Sequence, residues 1–456
     1  MALLTALSAS PSARTREQVA RLFHRAAFGA TVGEIDQWAA KGYDATVEHL
    51  LDFGTSSTRV DDLGGDGLGS GVAPIDLTGA GDATVESAQR WWLNRMATTS
   101  YPLEEKLTLY WHGHFATAAK KVHHTSYLLR QNTLLRDHAA ANFHAMCNAI
   151  TEDAAMLLWL DGTNNQRNEL NENYGREFME LFTLGRDRYS QHDVVEAARA
   201  FSGYRVDGFG QVTFHKDLHD DGVKTFLGQR GRWGATDITD IVLDRHPDGP
   251  VAARYVARRM AAFFHRPDPE PAVVDAMAAS FRGNGYDIRA MVRTLLLRPE
   301  FITASRLTIK SPAELVAGAA RGLGLARRGL DSADLDVLAR ACSEMGQALF
   351  NPPDVSGWKG GVTWANTATV LARYNFAALA ADQVRQDVIQ RVVDDVQGVP
   401  AATAKPWMDR LGLLSLSPTT EQAIKEYVTR EKKVDDAALA RGVLTLLLAS
   451  PEFNLR

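Results

Sequence analysis

The chain has 456 residues, 45% hydrophobic and 23% charged, with a formal net charge of −5; that is room for two or three domains or one large helical domain with insertions. The balance argues against a general nucleic-acid binder, because phosphate contacts need a basic face; basic stretches such as RHPDGPVAARYVARR have the spacing of solvated helix faces. Two cysteines with no CxxC spacing exclude a cysteine-based zinc site, and Cys147, in an apolar helical run, reads as a buried inert thiol.

The opening MALLTALSASPSARTRE lacks a basic n-region, and its apolar run of about six residues is short of a secretory h-region. No run approaches the roughly 18 apolar residues of a membrane span. The chain reads as soluble, cytoplasmic as given or the processed form of an exported protein. Residues 1–14 are expected to be a flexible terminus. Thr15-Arg16-Glu17-Gln18 and Thr31-Val32-Gly33-Glu34 fit capping boxes that open the first two helices, with Gly29 and Gly42 as stops. Residues 54–82, rich in Gly, Ser and Asp, are expected to be a long flexible loop or flap.

Helical periodicity then covers 84–99, 103–115, 123–140, 142–160, 169–184 and 191–202. Residues 204–215 alternate and contain Asp207-Gly208, a β-hairpin signal, and a polar loop follows to 235. Helical patterning resumes at 237–244, 250–265, 269–282 and 288–298 and runs on to the C-terminus. The expected fold is mostly α: a helical region over 15–203, a small β-hairpin insertion with its loop over 204–235, and a second helical region over 236–456 packed on the first. VRTLLLRPEFIT (292–303) and VLTLLLASPEFN (443–454) echo one another, two helices stopped by proline but too short to be a repeat architecture.

Four stretches carry candidate chemistry. In NENYGREFMELFTLG (171–185) a regular helix places Leu170, Tyr174, Phe178 and Leu181 in one arc, with Glu177 inside it and Asn173 and Glu180 at its edge. Glu172, Arg176 and Glu180 form i,i+4 pairs that suit a solvated ladder. A core-facing carboxylate at Glu177 needs a partner or a raised pKa: a buried bridge to Arg25, Arg130 or Arg136, or a role as metal ligand or general acid/base. In LTLYWHGHFAT, His112 and His114 are imidazoles suited to transition metals, yet two residues apart on a helix they point to different sides. They are either hydrogen-bonded structural histidines or ligands brought together where the helix ends near Gly113. DLHDDGVKTFLG supplies His219, Asp220, Asp221 and Lys224 in an expected loop, for a cation, for acid/base work, or simply for solvation. FNPPDVSGWKGGVTW supplies Trp358 and Trp364 around Gly360-Gly361, the walls of a sugar or peptide cleft or a rigid loop over the core. Walker A, GxGxxG, HExxH and GxSxG signatures are absent.

Read in order, RLFHRAAFGAT, LTLYWHGHFAT, LWLDGTNNQRNELNENYGREFMELFTLG, HDVVEAARAFSGY, HDDGVKTFLG, KSPAEL, the NPPDVSGWKGG stretch and LLLASPEF resemble a bacterial family filed as domain of unknown function 1800, over nearly the whole chain. The resemblance carries no catalytic residue. It marks His112, His114, Asn171, Glu172, Asn173, Arg176, Glu177 and Glu180 as motif positions, and it implies an exported protein, often with a twin-arginine-type signal and encoded beside a sulfatase-like family as a possible partner. This chain departs from that pattern in having no clear signal.

Two functions fit. One is a metal-dependent enzyme, a hydrolase or oxygenase, in which a divalent Fe, Mn or Zn ion sits among His112, His114, Glu177 and Glu180. Glu177, Glu180, His219 and Asp220 would do the chemistry, and Asn173, Arg176, Trp358 and Trp364 would bind a peptide, glycan or other cell-surface substrate. The other is a non-catalytic binding or assembly protein that works with a partner in exporting or building a surface product.

Overall fold

Helix accounts for 65% of the chain and strand for two short antiparallel hairpins in the computed structural model, which describes residues 12–53, 84–304, 308–325, 332–396, 403–431 and 434–456. The mostly α class with a small β insertion is thus the observed one. The flap expected at 54–82 and most of the flexible terminus expected at 1–14 lie outside the described residues. The first helix, Ala13–Ala26, starts earlier than the box at Thr15 suggests, because the Ser12 hydroxyl accepts the Thr15 amide at 3.1 Å and caps it. Reciprocal capping boxes form at Thr31–Glu34, Ser190–Asp193 and Ser311–Glu314, each satisfying two amides that a helix N-terminus leaves bare.

Tertiary structure divides two of the long periodic runs. Residues 142–160 split into Phe143–Thr151 and Ala154–Trp159, because Asp153 caps the second helix through the Met156 amide. Residues 169–184 become a short α-helix, Asn173–Glu177, followed by a π-helical turn, Phe178–Thr183. There the Leu184 amide reaches the Met179 carbonyl at 2.7 Å and the Thr183 hydroxyl reaches the Phe178 carbonyl at 2.6 Å, a five-residue spacing. The extra residue turns the face: Phe178, Met179 and Phe182 are buried, Leu181 and Glu177 are only partly so, and Leu170 is exposed.

The expected hairpin pairs β1 (Tyr204–Val206) with β2 (Val212–Phe214), Tyr204 opposite Phe214. A second hairpin, β3 (Lys224–Phe226) with β4 (Gln229–Gly231), lies in what the sequence presents as polar loop. Its turn residues Leu227 and Gly228 both have positive φ, as a tight two-residue hairpin turn requires. The helix Gln191–Ala200 holds it in place: Glu196 accepts the Thr225 amide at 2.6 Å and Asp193 the Leu227 amide at 2.7 Å. The C-terminal echo is also structural. Proline opens a short helix at Pro299–Thr303 and again at Pro451–Asn454, each burying a phenylalanine, Phe301 or Phe453.

Hydrophobic residues from Val19 to Phe453 form one contiguous core, and through it runs the helix Pro102–His114, buried at every residue except Gly113. Such a helix must neutralise its own charges. Glu105 accepts from Arg136 at 2.6 and 3.0 Å, from Arg95 at 2.5 Å and from the Trp92 indole at 2.8 Å. Burial pushes its pKa up, but the two guanidiniums outweigh burial and bring it down to about 2. Lys106 donates to the Ala27 carbonyl at 2.9 Å and pairs with Glu314, the last residue of the Ser311 capping box; burial lowers its pKa to about 8 against the pull of Glu314.

Replacing Glu105 by Gln leaves Arg136 buried without a counter-charge, and a loss of about 3–5 kcal/mol in urea unfolding is expected. Because the folded pKa of Glu105 is depressed from 4.5 to about 2, its contribution is complete above pH 4.5 and fades as pH falls towards 2. The stability gap between wild type and Glu105→Gln should therefore narrow as pH drops below 4.5; a gap independent of pH would contradict the pairing.

Candidate functional site

The buried helix ends in Tyr110-Trp111-His112-Gly113-His114, and its two histidines leave on different sides. His112 Nε2 accepts the Phe350 amide at 3.1 Å, so its proton sits on Nδ1; Trp92, Phe350 and Trp358 surround the ring. Burial alone pushes its pKa down to about 3. Phe350 has a φ of 61°, an unusual conformation for a bulky residue, and its backbone is held at both ends, since the Ala119 amide donates to its carbonyl at 2.9 Å. Lys120 donates to Pro353 O at 2.5 Å. Gly357, at φ 76°, rests against the Gly113 carbonyl, where a Cβ would stand only 2.3 Å from that oxygen. Through these contacts the segment 112–120 clamps the Trp358–Trp364 loop onto the end of the buried helix.

Between them lies a cavity of 640 Å³, within the size range of small-molecule sites. Trp358, Trp364, Phe263 and Tyr110 supply aromatic surface, and His114, Arg259, Glu314 and Arg456 line it too. His114 Nε2 donates to the Phe182 carbonyl at 3.0 Å, which leaves Nδ1 as an acceptor, buried and without a hydrogen-bond partner among the described residues. Burial, then the nearby Arg259 charge, hold its pKa well below the ordinary value, so the ring is neutral. The Tyr110 ring stacks beside His114, centroids 5.8 Å apart; its buried hydroxyl lies within reach of the Arg259 guanidinium, and burial keeps the phenol protonated. Arg259 donates to the Tyr255 hydroxyl at 3.1 Å, and Tyr255 in turn donates to the Leu181 carbonyl at 2.9 Å. Burial lowers the Arg259 pKa, but the Tyr255 and Tyr110 hydroxyls beside it outweigh burial and raise it; Arg259 makes no ion pair among the described residues.

No residue of 171–185 lines the cavity; the motif helix supports its wall from behind, through its backbone. Leu181 O and Phe182 O, near the end of the π turn where carbonyls lack intrahelical partners, accept from Tyr255 and His114. Its acidic side chains do not join them. Glu180 binds Arg186 and the Tyr189 hydroxyl, each at 2.8 Å, and Arg176 lies between Glu172 and Gln191. The Asn173 amide is capped by Asn171. Glu177 is half-buried with no hydrogen bond or ion pair among the described residues; burial, then the Glu180 carboxylate, raise its pKa. The bridges considered for it are not made. Arg25 serves the Phe301 and Ala304 carbonyls, Arg130 the Phe209 carbonyl, and Arg136 Glu105. Asp220 pairs with Arg199 at 2.7 and 3.1 Å, and His219 Nδ1 donates to Ser202 O at 2.9 Å; both anchor the second hairpin.

Among the described residues, His144, Asp240 and Asp244 form a three-residue group with ligand atoms within 4.8 Å of one another, and no such group contains Glu177, Glu180, His112 or His114. The four residues expected to hold an ion are not brought together among the described residues: His112 is turned to Phe350, His114 to Phe182, and Glu180 to Arg186 and Tyr189. Of the expected site residues, the structure brings His114, Trp358 and Trp364 to one cavity, with His112 behind the loop.

A family model described as a protein of unknown function, DUF1800, matches residues 21–455. The chain belongs to this family. No curated protein and no solved structure matches it.

In this DUF1800 chain, Tyr110, Arg259 and Phe263 escaped the sequence reading. The stretch around Arg259 has the spacing of a solvated basic face, and Arg254 and Arg258 do pair with Asp275 and Asp268 at the surface. Only the i,i+4 step from Tyr255 to Arg259 marks the side turned inward. The neutral states of the two histidines are open to test: His112 and His114 should show no imidazole titration by NMR between about pH 8 and pH 5, where an ordinary histidine changes charge. A midpoint near 6.5 for either would contradict the burial described.

Proposed function

We propose that this protein binds a small anionic ligand in the cavity between the end of Pro102–His114, the helix Val251–Phe264 and the Trp358–Trp364 loop. The observation that carries the reading is Arg259: a largely enclosed guanidinium on the cavity wall with no ion pair among the described residues. An arginine in that position needs an anion, and its planar fork suits a carboxylate or phosphate. His114 on the same wall keeps Nδ1 without a hydrogen-bond partner among the described residues. The geometry supports binding better than metal-assisted catalysis by Glu177, Glu180, His112 and His114, whose ligand atoms do not converge.

Thermal-shift screening of the full chain against carboxylates, phosphates and their neutral analogues tests this. An anion should stabilise the wild type, by about 2.7 kcal/mol at a hundred times its Kd, and the Arg259→Gln variant should bind it about 10- to 100-fold more weakly. Gly357→Ala, which drives a methyl group into the Gly113 carbonyl, should displace the tryptophan loop and weaken the same ligand. An undiminished response in Arg259→Gln, or no anion acting on wild type, overturns the proposal.

A further inference from the structure

We infer that His144 and Asp244, backed by Asp240, form a site for a zinc-type divalent cation between the helices Phe143–Thr151 and Ala235–Asp244. None of the three residues lines the aromatic cavity, so the inference stands apart from the anion reading above. Asp240 Oδ1 lies 3.3 Å from His144 Nδ1. A carboxylate only accepts, so that contact places the ring proton on Nδ1 and leaves a lone pair on Nε2. The lone pair faces Asp244 Oδ2 at 3.4 Å. Two electron-rich atoms so placed repel each other unless a positive charge lies between them. A shared proton draws such atoms to about 2.7–2.9 Å. Two ligands held about 2.0–2.1 Å from a tetrahedral ion stand about 3.3–3.4 Å apart instead, and that is the separation of Nε2 from Asp244.

The surroundings call for the same charge. Asp240 and Asp244 stand one turn apart on one helix face, a repulsive spacing. Asp244 is also the last residue of its helix, where the dipole disfavours an anion. Neither aspartate pairs with a lysine or arginine among the described residues; each has His144 as its partner. Tyr286 positions the ring and the helix end together. Its own ring meets the imidazole edge-on, centroids 5.1 Å apart, and its hydroxyl donates to the carbonyl of Leu243, next to Asp244. Asp240 behind Nδ1 stands where carboxylates stand behind zinc-bound histidines, orienting the ring and raising its basicity. Both aspartates are partly exposed, so water can fill the remaining coordination positions. An imidazole ligand selects a zinc-type ion over calcium or magnesium, which take oxygen ligands.

Isothermal titration of the metal-free full chain with zinc chloride tests the inference, with magnesium and calcium chloride alongside. Zinc should bind, and magnesium and calcium should bind at least about tenfold more weakly. His144→Ala and Asp244→Asn should each weaken zinc at least about tenfold, and Asp240→Asn should weaken it about 10- to 100-fold. Melting of each variant in EDTA checks that it folds. In the wild type itself, zinc should shift the His144 ring signals in NMR, a readout that needs no variant. Absence of zinc binding, zinc that binds all three variants undiminished, His144 signals that do not respond, or magnesium binding as tightly as zinc would each overturn the site. A His144 contribution to stability that grows as pH falls, with no zinc bound, would also overturn it and put a shared proton in the ion's place.

Discussion

Neutralising the charges of a buried helix is the constraint on which this architecture rests. Pro102–His114 has solvent on no face, yet it carries Glu105 and Lys106 near its start. An isolated charge there would cost several kcal/mol, so neighbouring helices must deliver counter-charges at defined points. Arg95 arrives from Val85–Thr98, Arg136 from Thr125–Asp137 and Glu314 from Pro312–Leu323. These pairings bind the first third of the chain to its last third, because Glu314 also meets Arg456 at 3.0 Å. With one end of the helix fixed, the other end presents Tyr110, His112 and His114 in a set position.

The cavity is a consequence of that position. His112 spends its lone pair on an amide of the tryptophan loop, and Gly113 gives the loop a bare surface to rest on. His114 faces the motif helix instead, where a π turn exposes carbonyls that also engage Tyr255. Residues distant in the chain, from 110, 259 and 358, thereby meet around one space. The groups of the motif helix that support the cavity wall are the Leu181 and Phe182 carbonyls. Its carboxylates are tied to partners outside the cavity or, at Glu177, left half-buried without a hydrogen bond or ion pair among the described residues. There burial and Glu180 raise the pKa against the pull of Arg176 and Arg186.

The segment HDDGVKTFLG shows how a polar stretch can be structural. Asp220 meets Arg199, and backbone amides of the hairpin meet Glu196 and Asp193, so its acids act as docking points for a small β element. The same logic applies to KSPAEL, where a capping box also delivers Glu314 to the buried lysine. Local motifs of this kind do two jobs, ending an element and placing a charge.

Much of the local structure was written in the residues themselves. Capping boxes at Thr31 and Ser311, glycine stops at Gly29 and Gly42, the Asp207-Gly208 hairpin and the paired proline endings all follow from backbone sterics and short-range hydrogen bonds. Family membership was legible too, since its motifs run in order along nearly the whole chain. Three things were not legible. Periodicity assumes a constant number of residues per turn, so it cannot see the one-residue insertion of a π turn, which changes the phase of Glu180; Glu177, before the turn, is half-buried with a raised pKa, as its place in the apolar arc suggests. Which histidine nitrogen is free depends on carbonyls and amides far away in sequence, Phe182 and Phe350. Arg259 looks like its solvated neighbours until packing turns one guanidinium inward beside Tyr110 and leaves it without an ion pair among the described residues. Short-range chemistry determined the elements; only long-range packing decided which polar groups remain unpartnered, and those groups define the site.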